Sequence, residues 1–285
     1  MPELPRLRIG DRVEDVVDWL TDNMGWFFDI LSGVLRFLRD QIEWVFTYPD
    51  PLIVCVVLGL FAWWIRGWKF GIFTFLAFSL IESMRLWPQS MSTLSLVLVA
   101  SLMAVALGVP LGIATSRSPL VSSIVRPVLD LMQTMPAFVY LIPAISFFGI
   151  GQVPGMVATI VFSMPPAVRL TELGIRGVDA EVVEAGHAFG AAPSKILTRI
   201  QLPLALPTIM AGINQVIMLA LSMVVIAGMV GAGGLGAVVF GAITRLNVGL
   251  GAEGGLAVVV LAIFLDRTTS AVSDRASQFR DKAAT

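Results

Sequence analysis

Reactive and charged side chains are scarce in this sequence. It contains one cysteine, Cys55, among 285 residues. An intrachain disulfide is therefore impossible, and no cysteine-based metal site is suggested. It has a single histidine, His187, and no His/Glu zinc pattern. Charged residues make up 14% of the chain and hydrophobic residues 56%, with a mean hydropathy of +0.86. Soluble domains carry about 25% charged residues, so too few polar groups remain to cover a soluble surface. The same numbers exclude intrinsic disorder. A net charge of −1 gives no electrostatic case for binding nucleic acid. What the sequence does have is long apolar runs: 86–116, 131–168 and 200–244 hold no charge. Each can hold at least one membrane-spanning helix of about 20 residues.

The expected fold is an all-α membrane protein with about seven transmembrane helices and an amphipathic N-terminal helix. The spans fall at roughly 51–65, 70–84, 91–115, 127–148, 154–171, 207–230 and 253–268. Trp63, Trp64, Trp68 and Trp87 have the character of interfacial belt residues. With the amino terminus outside, inner loops and the carboxyl tail carry Arg66, Lys69, Arg117, Arg126, Arg169, Arg176, Lys195, Arg199, Arg267, Arg275, Arg280 and Lys282. Only Arg85 and Arg245 fall in outer loops. This asymmetry predicts an outer amino terminus and a cytoplasmic carboxyl terminus in a multi-pass membrane protein. Residues 1–18 have no apolar core of the kind a signal peptide needs.

Residues 1–50 hold 5 basic and 10 acidic side chains and form a distinct external segment. Within it Phe27, Leu31, Val34, Leu35, Leu38, Ile42 and Val45 recur every three to four residues, with charged residues between them. The pattern predicts an amphipathic helix of about six turns, ended by Tyr48-Pro49-Asp50-Pro51, and lying in the outer interface or packed on the spans.

The chain has no Gly-x-x-x-x-Gly-Lys-Ser/Thr loop, so it holds no P-loop for ATP. Its acidic residues fall at span ends or in loops, which argues against an ion-coupled carrier. Gly231-Ala232-Gly233-Gly234-Leu235-Gly236 matches a dinucleotide fingerprint. That fingerprint has meaning only between a strand and a helix, whereas here it follows a membrane span. Its glycines instead predict a tight break and a short re-entrant segment.

The longest inner loop, 172–206, carries the strongest signal. Asp179 is placed to cap a short helix running to Phe189. Gly190 gives a break, Pro193 starts a second short helix, and Pro203 and Pro207 are expected to end it. Such an element, exposing small and apolar residues, suits docking onto a partner. The loop contains Glu184-Ala185-Gly186, then His187, Ala188, Phe189 and Gly190, then Ile200-Gln201-Leu202-Pro203. This spacing resembles the cytoplasmic signature of ABC importer permeases, with Gly186 in place of an alanine. Residues 126–151, 165–170 and 202–236 look similar to the glycine betaine/proline/choline importers, and the likeness runs from about 90 to 268.

That resemblance implies a type I importer permease core at 89–270. Residues 51–88 would be accessory spans and 271–285 a cytoplasmic tail. Two copies would form the pore, two copies of a separate ATPase would bind ATP and Mg below, and an external solute-binding protein would deliver the osmolyte. The chain itself would hold no cofactor and no catalytic residue. Glu184, Ala185, Gly186, His187, Ala188, Phe189, Gly190, Ile200, Leu202 and Pro203 would couple it to the ATPase.

Candidates for the translocation path are named on chemistry. A quaternary ammonium cargo is served by aromatic faces, available at Phe138, Tyr140, Phe147, Phe148 and Phe162. Gln133, Thr134, Asn214 and Gln215 offer partners for a carboxylate or hydroxyl. Pro136, Met164, Met223, Gly231, Gly233, Gly234 and Gly236 complete the set, as candidate path or gate residues.

Overall fold

The computed structural model describes residues 8–283, with side chains for Arg8 and 10–272. Arg275, Arg280 and Lys282, counted above for orientation, lie outside the described side chains, as do the first seven residues. All regular elements among the described residues are helical.

Helix α1 (Ile9–Thr47) is longer than the sequence pattern predicts and kinks at Met24. Helices α2 (Pro51–Arg66) and α3 (Trp68–Ser83) form a hairpin; Asp50 caps α2 by accepting from the Leu52 N–H, and Pro51 opens it. Each has 16 residues, or about 24 Å at 1.5 Å per residue. Helix α4 (Trp87–Arg117) is the first full-length span and α5 (Pro119–Thr134) folds back from it, capped by Ser118.

The predicted span 127–148 is not one straight helix. The chain leaves α5 at Met135, whose extended backbone is the geometry that a following proline, Pro136, imposes. A 3₁₀ turn (Ala137–Tyr140) leads into α6 (Leu141–Phe148), bent by 112° from α5. Gly149 and Gly151, both at positive φ, then turn the chain into α7 (Gln152–Arg176).

Helix α8 (Ala180–Ala188) follows, and α9 (Pro193–Ile196) starts the return. Pro203 and Pro207 do not end that second helix. A wide π turn (Leu197–Gln201) joins α9 to α10 (Leu202–Ala227), so the rod from 193 to 230 is continuous. Proline cannot donate a backbone hydrogen bond, but Pro203 follows directly on the π turn, where the helix ladder already shifts register, so its missing N–H falls at an existing irregularity of a continuous helix. The π turn closes through Leu202 N–H to the Leu197 carbonyl. Helix α11 (Gly234–Thr244) spans about 16 Å, too short to cross a bilayer, and α12 (Val248–Ala283) runs back along the bundle.

Among the described residues, four helices are long and apolar enough to cross a membrane, or up to six with the two bent pairs. The tightest crossings use small residues. A Cβ at Gly112 of α4 would lie 2.6 Å from Thr171 of α7, and one at Gly108 2.7 Å from Ala167. Glycines placed there let helix backbones approach closely. Helix α1 packs on this bundle. Leu35 is fully buried, Phe28 stacks on Phe147 at 4.6 Å, and Arg39 donates to Ser92 of α4 at 3.0 Å. Glu43 pairs with the same guanidinium, which gives the buried cation a counter-charge.

One end of the bundle gathers the basic residues. Arg66 donates to the Arg267 carbonyl (3.2 Å), Arg117 to the Pro193 carbonyl (3.2 Å) and Arg176 to the Thr115 carbonyl (2.8 Å). These cations tie the ends of α2, α4, α7 and α9 together and join α2 to the middle of α12 at Arg267, and α8 lies at this same end.

Candidate functional site

The first site is the helix pair at the basic end. Asp179 Oδ1 accepts from the Glu181 N–H at 2.9 Å and sits beside the positive pole of α8. At the other end the Gly190 N–H donates to the His187 carbonyl (2.9 Å) and the Ala191 N–H to the Gly186 carbonyl (3.1 Å). With Gly190 at φ +73°, this is a Schellman closure. It fixes the angle at which the chain leaves α8 for α9.

No residue of α8 is buried. Glu184, Ala185, His187, Ala188 and Gly190 are exposed, and Phe189 is 92% exposed. Gly186 differs. A Cβ there would lie 2.8 Å from Ile200 Cδ1 and 3.4 Å from Ile196 Cγ1. Its lack of a side chain thus lets α8 rest on the apolar side of the turn joining α9 to α10. Ile196 is buried, Ile200 and Leu202 are half-buried, and Pro203 is exposed. The loop residues therefore divide into a supporting set (Gly186, Ile200, Leu202) and a set left open to solvent (Glu184, Ala185, His187, Ala188, Phe189).

The second site lies where the broken span meets α7 and α10. Tyr140, Leu141, Ala144, Ala158 and Met223 form one buried cluster, with Phe162 against it. The Tyr140 and Phe162 rings meet edge to face at 5.9 Å, and the Tyr140 hydroxyl donates to the Met132 carbonyl. Gln133, Thr134, Pro136 and Phe138 stand just before this cluster and are exposed.

Other path candidates are not brought to it. Asn214 donates to Asp266 Oδ1 of α12 at 3.1 Å, away from the cluster. Gln215 is exposed, and Met164 packs near Gly108 of α4. The glycine run makes a backbone-tight reversal instead. Gly231, Gly233 and Gly234 all have positive φ, and a Cβ at Gly236 would lie 2.7 Å from the Val224 carbonyl oxygen.

Residues 104–278 match the family model described as "Binding-protein-dependent transport system inner membrane component". The chain belongs to this family. Among related permeases, it is 49% identical over 270 residues to the glycine betaine transport system permease protein OpuAB of Bacillus subtilis, covering 94% of this chain and 95% of that protein. It is 48% identical to the glycine betaine/carnitine transport permease protein GbuB of Listeria monocytogenes, covering 97% and 99%. Against the glycine betaine/proline betaine permease ProW of Escherichia coli it is 47% identical, covering 89% and 74%. A chain of the MetNI methionine ABC transporter, solved in inward-facing conformations, shares the fold. Its TM-score is 0.63 at 20% identity, over 67% of this chain and 95% of that one. The architecture is that of a type I ABC importer permease.

Two features of this permease were absent from the sequence-based candidates. Thr93 of α4 accepts the Leu235 N–H at 2.8 Å, which supplies the start of α11 with a cap from a distant helix. Glu172, 4% exposed, accepts from Ser122 (2.9 Å) and from Arg126 (3.0 Å), and pairs with Arg176 at 3.0 Å. It joins α5 to α7 near the carboxyl end of α7. Glu172 and Arg176 share a helix face four residues apart, the one local sign of this network in the sequence.

Proposed function

We propose that this chain is the pore-forming permease subunit of an ATP-driven importer for quaternary ammonium osmolytes, with glycine betaine, proline betaine and choline as candidate cargoes and proline, a secondary amine, as a further one. The observation that carries the cargo reading is the near-full-length likeness to three permeases named for glycine betaine, at 47–49% identity. Two copies of the chain would enclose the path, and two copies of an ATPase would dock at the basic end. A solute-binding protein would deliver cargo at the opposite end, between the termini of α6, α7, α10 and α11. The basic end would face the cytoplasm, in keeping with the positive-inside rule.

The geometry of α8 supports a coupling step. Its exposed residues, Glu184 to Phe189, would seat in a groove of the ATPase, with Phe189 as the apolar anchor. Beneath it, Gly186 bears on Ile196 and Ile200 at the foot of the continuous rod leading into α10. From Ile196 to Met223 that rod is about 40 Å long. A small tilt of α8 on ATPase closure would thus be carried to the Tyr140–Phe162–Met223 cluster. Rocking of α10 against α7 and the broken span would open that cluster to alternate sides.

ATP and Mg would act on the partner ATPase, and this chain would contribute no catalytic group. The reading is tested by competition. Uptake of labelled glycine betaine by the assembled complex should fall when unlabelled proline betaine or choline is added with the binding protein. Indifference to all quaternary ammonium competitors would reject the cargo class.

A further inference from the structure

The α2–α3 hairpin carries a groove that the transport mechanism does not use. It has a volume of about 280 Å³ and runs between the two helices, almost wholly apolar. Gly59 and Gly71 form its floor. A Cβ at Gly71 would lie 2.7 Å from Trp63 Cβ and 2.9 Å from the Gly59 carbonyl oxygen, so the backbones touch there. Leu60 and Trp63 rise on one side, Trp68 and Ile72 on the other. All four are exposed on the outside of the bundle, at 53–59% of their surface. From Val56 to Trp63 the groove extends about 10 Å along α2, ending at the hairpin turn.

Cations stand at that end. The Lys69 ammonium lies 5.9 Å from the centroid of the Trp68 ring, which lines the groove. Arg66, also at the turn, reaches across to the Arg267 carbonyl of α12. Arg66, Lys69 and Arg267 are all exposed, and none forms an ion pair with a carboxylate among the described residues. An apolar trough continuous with uncompensated positive charge and flanked by the indoles of Trp63 and Trp68 beside the hairpin turn has the chemistry of one class of ligand.

We propose that this groove binds an anionic phospholipid, with one acyl chain on the Gly59–Gly71 floor and the phosphate held by Arg66, Lys69 and Arg267. The site would anchor the accessory hairpin and the Arg267 segment of α12 to the same lipid. It stands apart from the transport reading, because it concerns lipid retention and not cargo.

The test is native mass spectrometry of the full-length permease complex, exchanged from detergent containing either phosphatidylglycerol or phosphatidylcholine. The expected result is retention of phosphatidylglycerol over phosphatidylcholine. Retention should drop about tenfold or more in the triple variant Arg66→Gln, Lys69→Gln, Arg267→Gln. It should drop similarly in Leu60→Trp, which fills the groove from an exposed position without touching a charge. Ion mobility or size exclusion reports whether each variant stays folded, since all four sites are on the surface. Equal retention of the two lipids overturns the proposal, as does unchanged retention in either folded variant.

Discussion

Replacing Gly190 tests the geometry of α8 without touching its contacts. Gly190 sits at φ +73°, and a Cβ added there meets nothing within 4 Å. Any effect of a side chain is therefore conformational and not steric. An L-residue in the left-handed region costs roughly 1–2 kcal/mol, more for a β-branched one, while asparagine tolerates it. Each 1.4 kcal/mol is a tenfold change in population. Gly190→Val should therefore release the Schellman closure and swing α9 away from its present exit angle in most molecules. Proteoliposomes with the ATPase and binding protein give the assay. Uptake by Gly190→Val should fall about tenfold or more, with unchanged abundance in the membrane. Gly190→Asn should stay within about threefold of the wild type, because its backbone cost is smaller. If the two variants behave alike, or if the valine variant transports normally, the backbone argument for the coupling loop is wrong.

Other consequences are open to direct measurement. Glu172→Gln keeps an acceptor for Ser122 but removes the charge facing Arg126 and Arg176. A loss of about 1–2 kcal/mol is expected, discounted because both arginines are part-exposed, and should appear as a lower thermal unfolding midpoint. A Cβ at Gly228 would lie 2.2 Å from the Gly236 carbonyl carbon, so Gly228→Ala must force α10 and α11 apart. It should cost about 1–3 kcal/mol, whereas Gly241→Ala, with open space around it, should be neutral or stabilising; equal melting of the two would refute the close-approach argument. For orientation, Ser194→Cys in a Cys55→Ser background should react with impermeant maleimide only in inside-out vesicles. Labelling in right-side-out vesicles alone would invert the topology.

The features that were legible in the sequence are those with local causes. The Asp179 cap, the break at Gly190 and the restart at Pro193 each depend on one residue and its immediate neighbours, and the structure contains all three. The continuous rod through Pro203 was not legible, because a π turn has no sequence signature and proline near a helix start reads equally well as a stop. The break in the expected span 127–148 had one sign, Pro136, submerged in an uninterrupted apolar run. Asn214, named as a path candidate on its chemistry, faces Asp266, a pairing the sequence does not show. In a helix apolar on every side, periodicity does not choose a face. Thr93 and Ser92 were invisible for another reason. Their partners, Leu235 and Arg39, are 142 and 53 residues away in sequence.

The central claim is that this permease moves a quaternary ammonium osmolyte and draws its energy from a separate ATPase docked on α8. The most direct measurement is accumulation of labelled glycine betaine, choline and proline in proteoliposomes holding the permease and its ATPase, with the binding protein supplied on the opposite side. The account predicts accumulation of glycine betaine or choline, above equilibrium, that needs both ATP and the binding protein. Equilibration without ATP, or no uptake of either, would contradict it.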